Sequence, residues 1–219
     1  MMMILISILL AYLMGSVPTA VWVGRLFYDI DVRTQGSGNA GATNTIRVLG
    51  VKAGIPVMIV DVLKGYFAVW LVPHLVEFSP DDNSKPYVLL LASVAVVLGH
   101  TFPVLAGFRG GKGVASILGV GFALFPFSAL CAVIVFLLVF ITTRYVSLSS
   151  LTAGICFPLF VNFLFPTDHW VFQALSIGVA VFLPLTHRKN IERLVKGTES
   201  KISFRKKPGI EGVNKKSEN

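Results

Sequence analysis

Two short segments combine glycines with small polar side chains and a cation, a combination that can hold an anion. The first, residues 36–47, contains three glycines and ends at Arg47, and the second, residues 108–113, places Lys112 between glycines. Glycine lets several backbone N–H groups turn to one side and form an anion-binding concavity, and a guanidinium is suited to phosphate. The first segment has neither the Walker spacing nor the dinucleotide fingerprint. It therefore predicts another kind of anion site, with a flexible Gly/Ser loop as the alternative.

The elements that must position these segments are long apolar stretches. Of the 219 residues, 54% are hydrophobic and only 14% are charged, whereas soluble domains carry about 25% charged residues. The composition predicts an all-α polytopic membrane protein with one membrane domain, residues 1–199, followed by a flexible basic tail, residues 200–219. Residues 1–23 lack a basic n-region and a small-residue cleavage site, so we interpret them as a retained span.

Seven transmembrane helices are expected. The apolar stretches cover residues 3–24, 51–75, 87–106, 114–143, 151–165 and 170–186. Residues 114–143 contain no charge in 30 residues, more than the roughly 20 that one span needs, so we divide them near Pro126 into two short helices. Asp61 and Lys64 share one face of the second span, and a structural ion pair is favoured there over direct chemistry.

The cations predict the orientation of the chain. Seven spans place the two termini on opposite sides, and of the 19 Lys and Arg residues all but Lys64 and Lys85 lie in the tail or in loops on its side. Cytoplasmic loops are enriched in cations, so the N-terminus is expected outside and the C-terminus in the cytoplasm. Both glycine segments, a polar turn at residues 145–150 and residues 187–199 then meet at the cytoplasmic face. Topology alone would explain any single cation, but not two set within glycine-rich loops.

These four segments predict a site for one or two phosphate groups, and neither glycine segment contains a carboxylate. None of the four histidines is followed five residues later by an aspartate, so the sequence contains no His-x4-Asp catalytic dyad. Glu192 follows His187 at that spacing, but on a helix the offset is about 500°, which places the two on nearly opposite faces. The chemistry must then depend on placement and charge stabilisation, with an activated donor and with a substrate group as the base.

Five motifs together resemble the bacterial acyl-phosphate:glycerol-3-phosphate acyltransferase family (PlsY). They are GSGNAGATN at residues 36–44, GHTFP at 99–103, FRGGKGVA at 108–115, RYVSL at 144–148 and HRKNIERL at 187–194. The resemblance runs from the first span to about residue 199. It implies a seven-helix enzyme of the bacterial inner (plasma) membrane that transfers an acyl chain from acyl phosphate to the 1-hydroxyl of glycerol 3-phosphate. The products are lysophosphatidic acid and phosphate, in phospholipid synthesis.

The resemblance also implies what binds and which residues act. It implies no metal or nucleotide cofactor, no acyl-CoA or acyl-carrier protein as the direct donor, no nucleic acid and no obligatory protein partner. The residues expected to be catalytic are Ser37, Arg47, Lys112, His187 and Asn190. Those expected to bind substrate are Gly36, Gly38, Asn39, Gly41, Asn44, Gly110, Gly111 and Ser150. Position 40 is Ala, where the family usually has Pro or Val.

Two other functions fit some of these features. A transporter for a phosphorylated solute would also use basic loops and seven spans, but it should carry polar residues near the bilayer midplane, where only Asp61 and Lys64 occur. Solute uptake by vesicles without acyl transfer would favour it. A membrane scaffold would depend on the basic tail, so deletion after about residue 200 would abolish its role, whereas the enzyme would keep most of its activity.

Overall fold

The computed structural model of the chain describes residues 1–79 and 83–202, and within those ranges it is helical with no strand. The α-helices are α1 Met2–Ser16, α2 Thr19–Tyr28, α3 Ala42–Leu49, α4 Val51–Trp70, α5 Val72–Leu75, α6 Lys85–Thr101, α7 Val114–Leu124, α8 Pro126–Thr143, α9 Val146–Leu159, α10 Trp170–Thr186 and α11 Arg188–Val195. Short 3-10 turns cover Val32–Thr34 and Val104–Ala106, and α9 continues into a π-helical turn, Phe160–Leu164. Most of the basic tail lies outside the described residues.

Five helical segments of the described chain are long and apolar enough to cross a membrane. They are Met2–Tyr28, Val51–Trp70, Lys85–Ala106, Pro126–Thr143 and Val146–Leu164. A sixth is obtained if α10 and α11, which are bent by 64° at His187, form one broken span. Helix α7 has 11 residues, short of the roughly 20 that a span requires. The all-helical membrane architecture is confirmed, whereas seven crossings and the side of each terminus stay predictions.

Helix α8 presents its apolar surface outward. Of its 18 residues only Ser128, Ala129 and Ala132 are buried, and Leu130, Ile134, Leu138 and Ile141 are each about half exposed or more. Residues three or four positions apart share a helix face, so these side chains form a continuous stripe. Such a stripe is suited to lipid, which accepts apolar side chains that water would not.

Glycines allow the central helices to pack backbone against backbone. A Cβ atom at Gly65 of α4 would lie 2.2 Å from the carbonyl oxygen of Ser116 in α7, and one at Gly119 of α7 would lie 2.0 Å from the carbonyl oxygen of Val62. Helix association in a membrane relies on such close contact between small residues, because lipid supplies no hydrophobic drive between apolar surfaces. Helices α4 and α7 are thereby packed backbone against backbone.

Two local expectations need correction, and one is confirmed. Helix α9 begins at Val146 and not at residue 151 as expected, so of the predicted polar turn at residues 145–150 only Tyr145 lies outside a helix. Two of its serines fit inside a helix because their hydroxyls bond to carbonyls one turn back: Ser149 Oγ donates to Tyr145 O at 2.8 Å and Ser150 Oγ to Val146 O at 2.9 Å. The second half of the first glycine segment is likewise helical, as α3. The break near Pro126 is confirmed, since α7 ends at Leu124 and α8 begins at Pro126.

Candidate active site

One cavity of about 420 Å³ connects the two glycine segments with the interior of the bundle. Its polar lining comes from separated parts of the chain: Ser37, Asn39, Thr43, Asn44, Arg47, Asp61, His100, Lys112, Ser147, Ser150, His187, Asn190, Glu199 and Ser200. The rest is apolar and comes mainly from α7, α8, α9 and α10, including Ile117, Leu118, Val133, Phe136, Phe157 and Leu183. The cavity therefore combines a polar, cationic region with an apolar chamber.

Asn44 organises the first glycine segment. Its side-chain Nδ2 donates to the carbonyls of Val32 and Gln35 at 2.7 and 3.1 Å, and its Oδ1 accepts from the amide and the hydroxyl of Ser37 at 2.8 and 3.1 Å. Asn44 is 2% exposed, so these bonds are shielded from water. One amide side chain thus fixes the turn that carries Ser37. Gly36 has φ +62° and lies so close to Asn44 that a Cβ would be 2.3 Å from Oδ1, which explains why glycine is required there.

Arg33, which lies just before the first glycine segment, is hydrogen-bonded to the loop that precedes the second. Arg33 pairs with Asp31 at 2.8 Å and donates through Nη1 to the carbonyl of Ala106 at 2.7 Å. The hydrogen bonds from the Arg33 guanidinium hold the pKa of Asp31 well below its usual range. A second link joins the Ala40 amide to the Gly110 carbonyl at 3.4 Å. The two glycine segments are therefore held side by side.

Lys112 is the cation of the second segment. Its ammonium donates to Oδ1 of Asn190. Burial lowers the pKa of Lys112 to about 8; Glu199 opposes this shift, and the charges of Arg193 and Arg47 add to it. The group is therefore cationic at neutral pH but more easily deprotonated than an exposed lysine. Arg47 lines the same cavity and reaches the carbonyl of Ser200 at 3.5 Å.

Glu199 brings a carboxylate into the site, where sequence reasoning expected none. Its Oε1 accepts from Asn190 Nδ2 at 2.7 Å and from Ser147 Oγ at 2.9 Å, and its Oε2 accepts from Arg193 Nε at 2.6 Å. Burial raises the pKa of Glu199, but these hydrogen bonds outweigh it and leave the pKa below its usual value. The carboxylate is thus an anchor: it orients Asn190, which in turn holds Lys112.

His187 stands at the bend between α10 and α11 and is 3% exposed. Its Nδ1 lies 2.8 Å from the carbonyl oxygen of Leu183, which can only accept a hydrogen bond. We therefore assign the imidazole hydrogen to Nδ1, which leaves Nε2 as the acceptor nitrogen of the neutral ring. Asn190 follows one turn later on α11, so the bend delivers both side chains to the cavity.

Comparison with known proteins gives this geometry its context. The family model for glycerol-3-phosphate acyltransferase matches residues 5–197. The chain belongs to the glycerol-3-phosphate acyltransferase family. A curated member from Enterococcus faecalis is 41% identical over 210 residues, covering 93% of this chain and 94% of that protein. A member from Fusobacterium nucleatum is 43% identical over 197 residues, covering 90% and 97%.

Solved structures agree with the family assignment. The crystal structure of PlsY, an integral membrane glycerol 3-phosphate acyltransferase, in its glycerol 3-phosphate form has a TM-score of 0.81 and 38% identity; the match covers 91% of this chain and 96% of that one. Its lysophosphatidic acid form has a TM-score of 0.79, with 92% and 96% covered. The resemblance inferred from the five motifs is confirmed as membership of this acyltransferase family.

Most of the residues expected in an acyltransferase site line the one cavity. They are Ser37, Asn39, Gly41, Asn44, Arg47, Lys112, Ser150, His187 and Asn190. Gly36, Gly38, Gly110 and Gly111 are beside it and do not line it. The amides of Gly110 and Gly111 donate to the carbonyls of Thr101 and His100 at 3.2 and 3.0 Å. In this structure those two amides stabilise the loop that carries Lys112.

Three charged or titratable lining residues were not expected in the site. Asp61 had been interpreted as half of a structural ion pair, and its pairing with Lys64 at 2.7 Å is confirmed, but it also borders the cavity. His100 lies in one of the family motifs, which was the available signal for it. Glu199 marks the end of the resemblance, and only its spatial neighbours reveal its role. Within residues 1–79 and 83–202, no cluster of His, Cys, Asp or Glu could hold a metal ion.

Proposed function

We propose that this protein transfers an acyl chain from acyl phosphate to the 1-hydroxyl of glycerol 3-phosphate, releasing lysophosphatidic acid and phosphate. The observation that carries the proposal is the single cavity that joins Ser37, Arg47 and Lys112 to an apolar chamber. Both the donor and the product carry a phosphate at one end and a long apolar acyl chain at the other. A cavity with one cationic region and one apolar region is complementary to such a molecule.

The proposed chemistry needs no nucleophile from the protein. Acyl phosphate is a mixed anhydride with a good leaving group. The glycerol 3-phosphate hydroxyl oxygen attacks the acyl carbonyl carbon, and the bond from that carbon to the phosphate oxygen breaks. The hydroxyl proton passes to a substrate phosphate oxygen. Arg47 and Lys112 stabilise the charge that develops on the leaving phosphate, and each such donor contributes about 3–4 kcal/mol at the transition state.

Ser37 is proposed to bind phosphate, while Ser150, His187 and Asn190 line the remaining pocket. Glu199 is already occupied by three donors, which supports a substrate group as the proton acceptor. Glu192 is exposed and paired with Lys196 at 2.6 Å, so it offers no base to the cavity. Turnover should survive Glu192→Gln; abolished turnover in a folded Glu192→Gln protein would contradict this assignment of the proton.

The same proposal includes a bacterial inner-membrane location, with seven crossings, the N-terminus outside and the cavity mouth at the cytoplasmic face. It requires α7 to cross as a short span together with α8. Alkaline phosphatase fused near residue 1 should be active, and the same reporter fused after residue 202 should be inactive. Active reporters at both ends would exclude an odd number of crossings.

The reaction is tested with detergent-solubilised protein, acyl phosphate and radiolabelled glycerol 3-phosphate. We expect lysophosphatidic acid without any vesicle, and none when acyl-CoA or acyl-carrier protein replaces acyl phosphate. Lys112→Ala should reduce turnover about 100-fold or more, as expected for loss of one charge-stabilising donor. Arg109→Ala is the matched control, because Arg109 is an exposed cation of the same loop that does not line the cavity. Equal loss in the two variants would refute the role of Lys112, and transfer from acyl-CoA alone would refute the proposed donor.

A further inference from the structure

A second polar cluster lies inside the bundle, beneath the glycine segments. Asp61 Oδ1 accepts from Lys64 Nζ at 2.7 Å and from Thr19 Oγ1 at 3.1 Å, and Lys64 also donates to the Val17 carbonyl at 3.0 Å. The Asp61 carbonyl accepts from Ser116 Oγ at 3.2 Å. These bonds join the break between α1 and α2 to α4 and to the start of α7. The two charges of the cluster, Asp61 and Lys64, are paired and buried.

His100 extends this cluster towards the second glycine segment. It is 6% exposed, and its Nδ1 lies 3.8 Å from Asp61 Oδ1 with no hydrogen-bond partner among the described residues. The other side of the ring meets Gly111: a Cβ at that glycine would lie 2.0 Å from His100 Nε2. The His100 carbonyl also accepts the Gly111 amide at 3.0 Å. The ring and the backbone carbonyl of His100 therefore both contact Gly111, the residue before Lys112.

The cluster lies at the junction of the two glycine segments. A small cavity of about 10 Å³ is bordered by Asp61, Lys64 and His100 on one side and by Ala40 and Gly110 on the other. Ala40 belongs to the first segment and Gly110 to the second, and they share a hydrogen bond. A polar space of this size fits one water molecule. The buried Asp61–Lys64 pair therefore lies next to the hydrogen bond that joins the two glycine segments.

We propose that His100 is a positioning residue whose buried imidazole, 3.8 Å from Asp61, packs against Gly111 and so sets the place of Lys112 in the active cavity. Gly111 is glycine because the ring occupies the space of a Cβ. Its φ is not in the left-handed region, so alanine is excluded there by the ring and not by the backbone. The proposal rests on the proposed acyl transfer for its kinetic test, and it has a second test that needs no substrate.

The contact predicts reciprocal rescue. His100→Ala removes the support, and Gly111→Ala pushes a methyl into the ring; either change displaces Lys112, and a displacement of about 1 Å can cost about 100-fold in rate. In the double variant the methyl group added at position 111 occupies the space that the ring leaves. We expect kcat to fall about 100-fold in each single variant and to recover at least about tenfold in the double variant, with the KM for glycerol 3-phosphate changed far less than kcat.

Ser176→Ala is the control for loss of a buried polar contact within the membrane. Ser176 is fully buried and bonded to Asn162 at 3.1 Å, but it lies three turns of α10 away from His187. It should lower the thermal unfolding midpoint without lowering kcat. If His100→Ala does not fold, His100→Asn takes its place, since it keeps a polar group near Asp61 but lacks the atoms that meet Gly111.

Labelling of Lys112 by an amine-reactive reagent, measured by peptide mass spectrometry, tests the same contact without substrate. We expect faster labelling in each single variant, because a displaced loop exposes the amine, and a return towards the wild-type rate in the double variant. Labelling and kcat that are unchanged in the single variants, or losses that multiply in the double variant, would overturn the positioning role. Rescue of labelling in a protein that never transfers from acyl phosphate would refute the proposed donor and leave the positioning role intact.

Discussion

Lys112 should set the alkaline limit of activity. Burial lowers its pKa to about 8, against an ordinary value of 10.5. The protonated form is the one that stabilises phosphate, so activity is retained below this pKa and lost as the pH rises through it. Above about pH 8, kcat/KM should fall about tenfold per pH unit, because each unit removes nine-tenths of the remaining ammonium.

The substitution that isolates this group is Lys112→Arg. A guanidinium stays protonated beyond about pH 12, so the alkaline decline of kcat/KM should disappear in this variant even if its maximal rate is lower. The second pKa of a phosphate ester is about 6, so the substrates do not titrate between pH 8 and 10. A bound phosphate also raises the pKa of the ammonium, so the decline in kcat should begin at higher pH than the decline in kcat/KM.

The assay is lysophosphatidic acid formation by detergent-solubilised protein at limiting glycerol 3-phosphate, from pH 6.5 to 10. The thermal unfolding midpoint is recorded at each pH so that loss of folded protein is not read as loss of catalysis. A wild-type profile that stays flat to pH 10 would refute the assignment. So would an identical alkaline decline in Lys112→Arg, because the titrating group would then lie elsewhere.

Three other changes have definite expected outcomes. Arg47→Ala should lower kcat/KM about 100-fold or more, because a hydrogen-bond donor to phosphate is lost. Lys52 is an exposed cation nearby, and Lys52→Ala should leave kcat/KM unchanged. Equal kcat/KM in the two variants would count against the site. Glu199→Gln removes the anion that raises the pKa of Lys112, so the alkaline decline of kcat/KM should move to lower pH, and a move to higher pH would contradict the anchor role. Gly119→Ala should destabilise the protein by about 1–3 kcal/mol, because the added methyl overpacks the contact between α4 and α7. The thermal unfolding midpoint is compared with that of Gly178→Ala, whose Cβ meets nothing within 4 Å. Equal midpoints in the two variants would refute the close packing of α4 against α7.

The sequence predicted the helical bundle because helices depend on local patterns, whereas the residues expected in the site came from the family resemblance, and nine of them line the cavity. Uninterrupted apolar stretches identify spans without knowledge of their partners, and a proline in a long stretch locates a break. The pairing of Asp61 with Lys64 followed from their spacing on one helix face. Ser147 and Ser150 were misplaced in a turn, because polarity alone does not distinguish a loop from a helix. Ser150 bonds to a carbonyl of its own helix, and Ser147 bonds to the Glu199 carboxylate.

What sequence reasoning missed depends on contacts between distant parts of the chain. Glu199 was not expected in the site because its partners, Ser147 and Asn190, come from other elements. Gly111 was expected to offer its amide to phosphate, whereas that amide bonds to His100, and glycine is needed there for the close approach of the ring. A glycine that frees an amide and a glycine that makes room for a neighbour look the same in a sequence.

The most direct test is an experimental structure of the protein with lysophosphatidic acid bound. We expect the phosphate within hydrogen-bonding distance of Ser37, Arg47 or Lys112, and the acyl chain in the chamber between α8 and α9, beside Phe157. A phosphate bound away from both cations, or a chain lying on the outer apolar stripe of α8, would contradict this expectation.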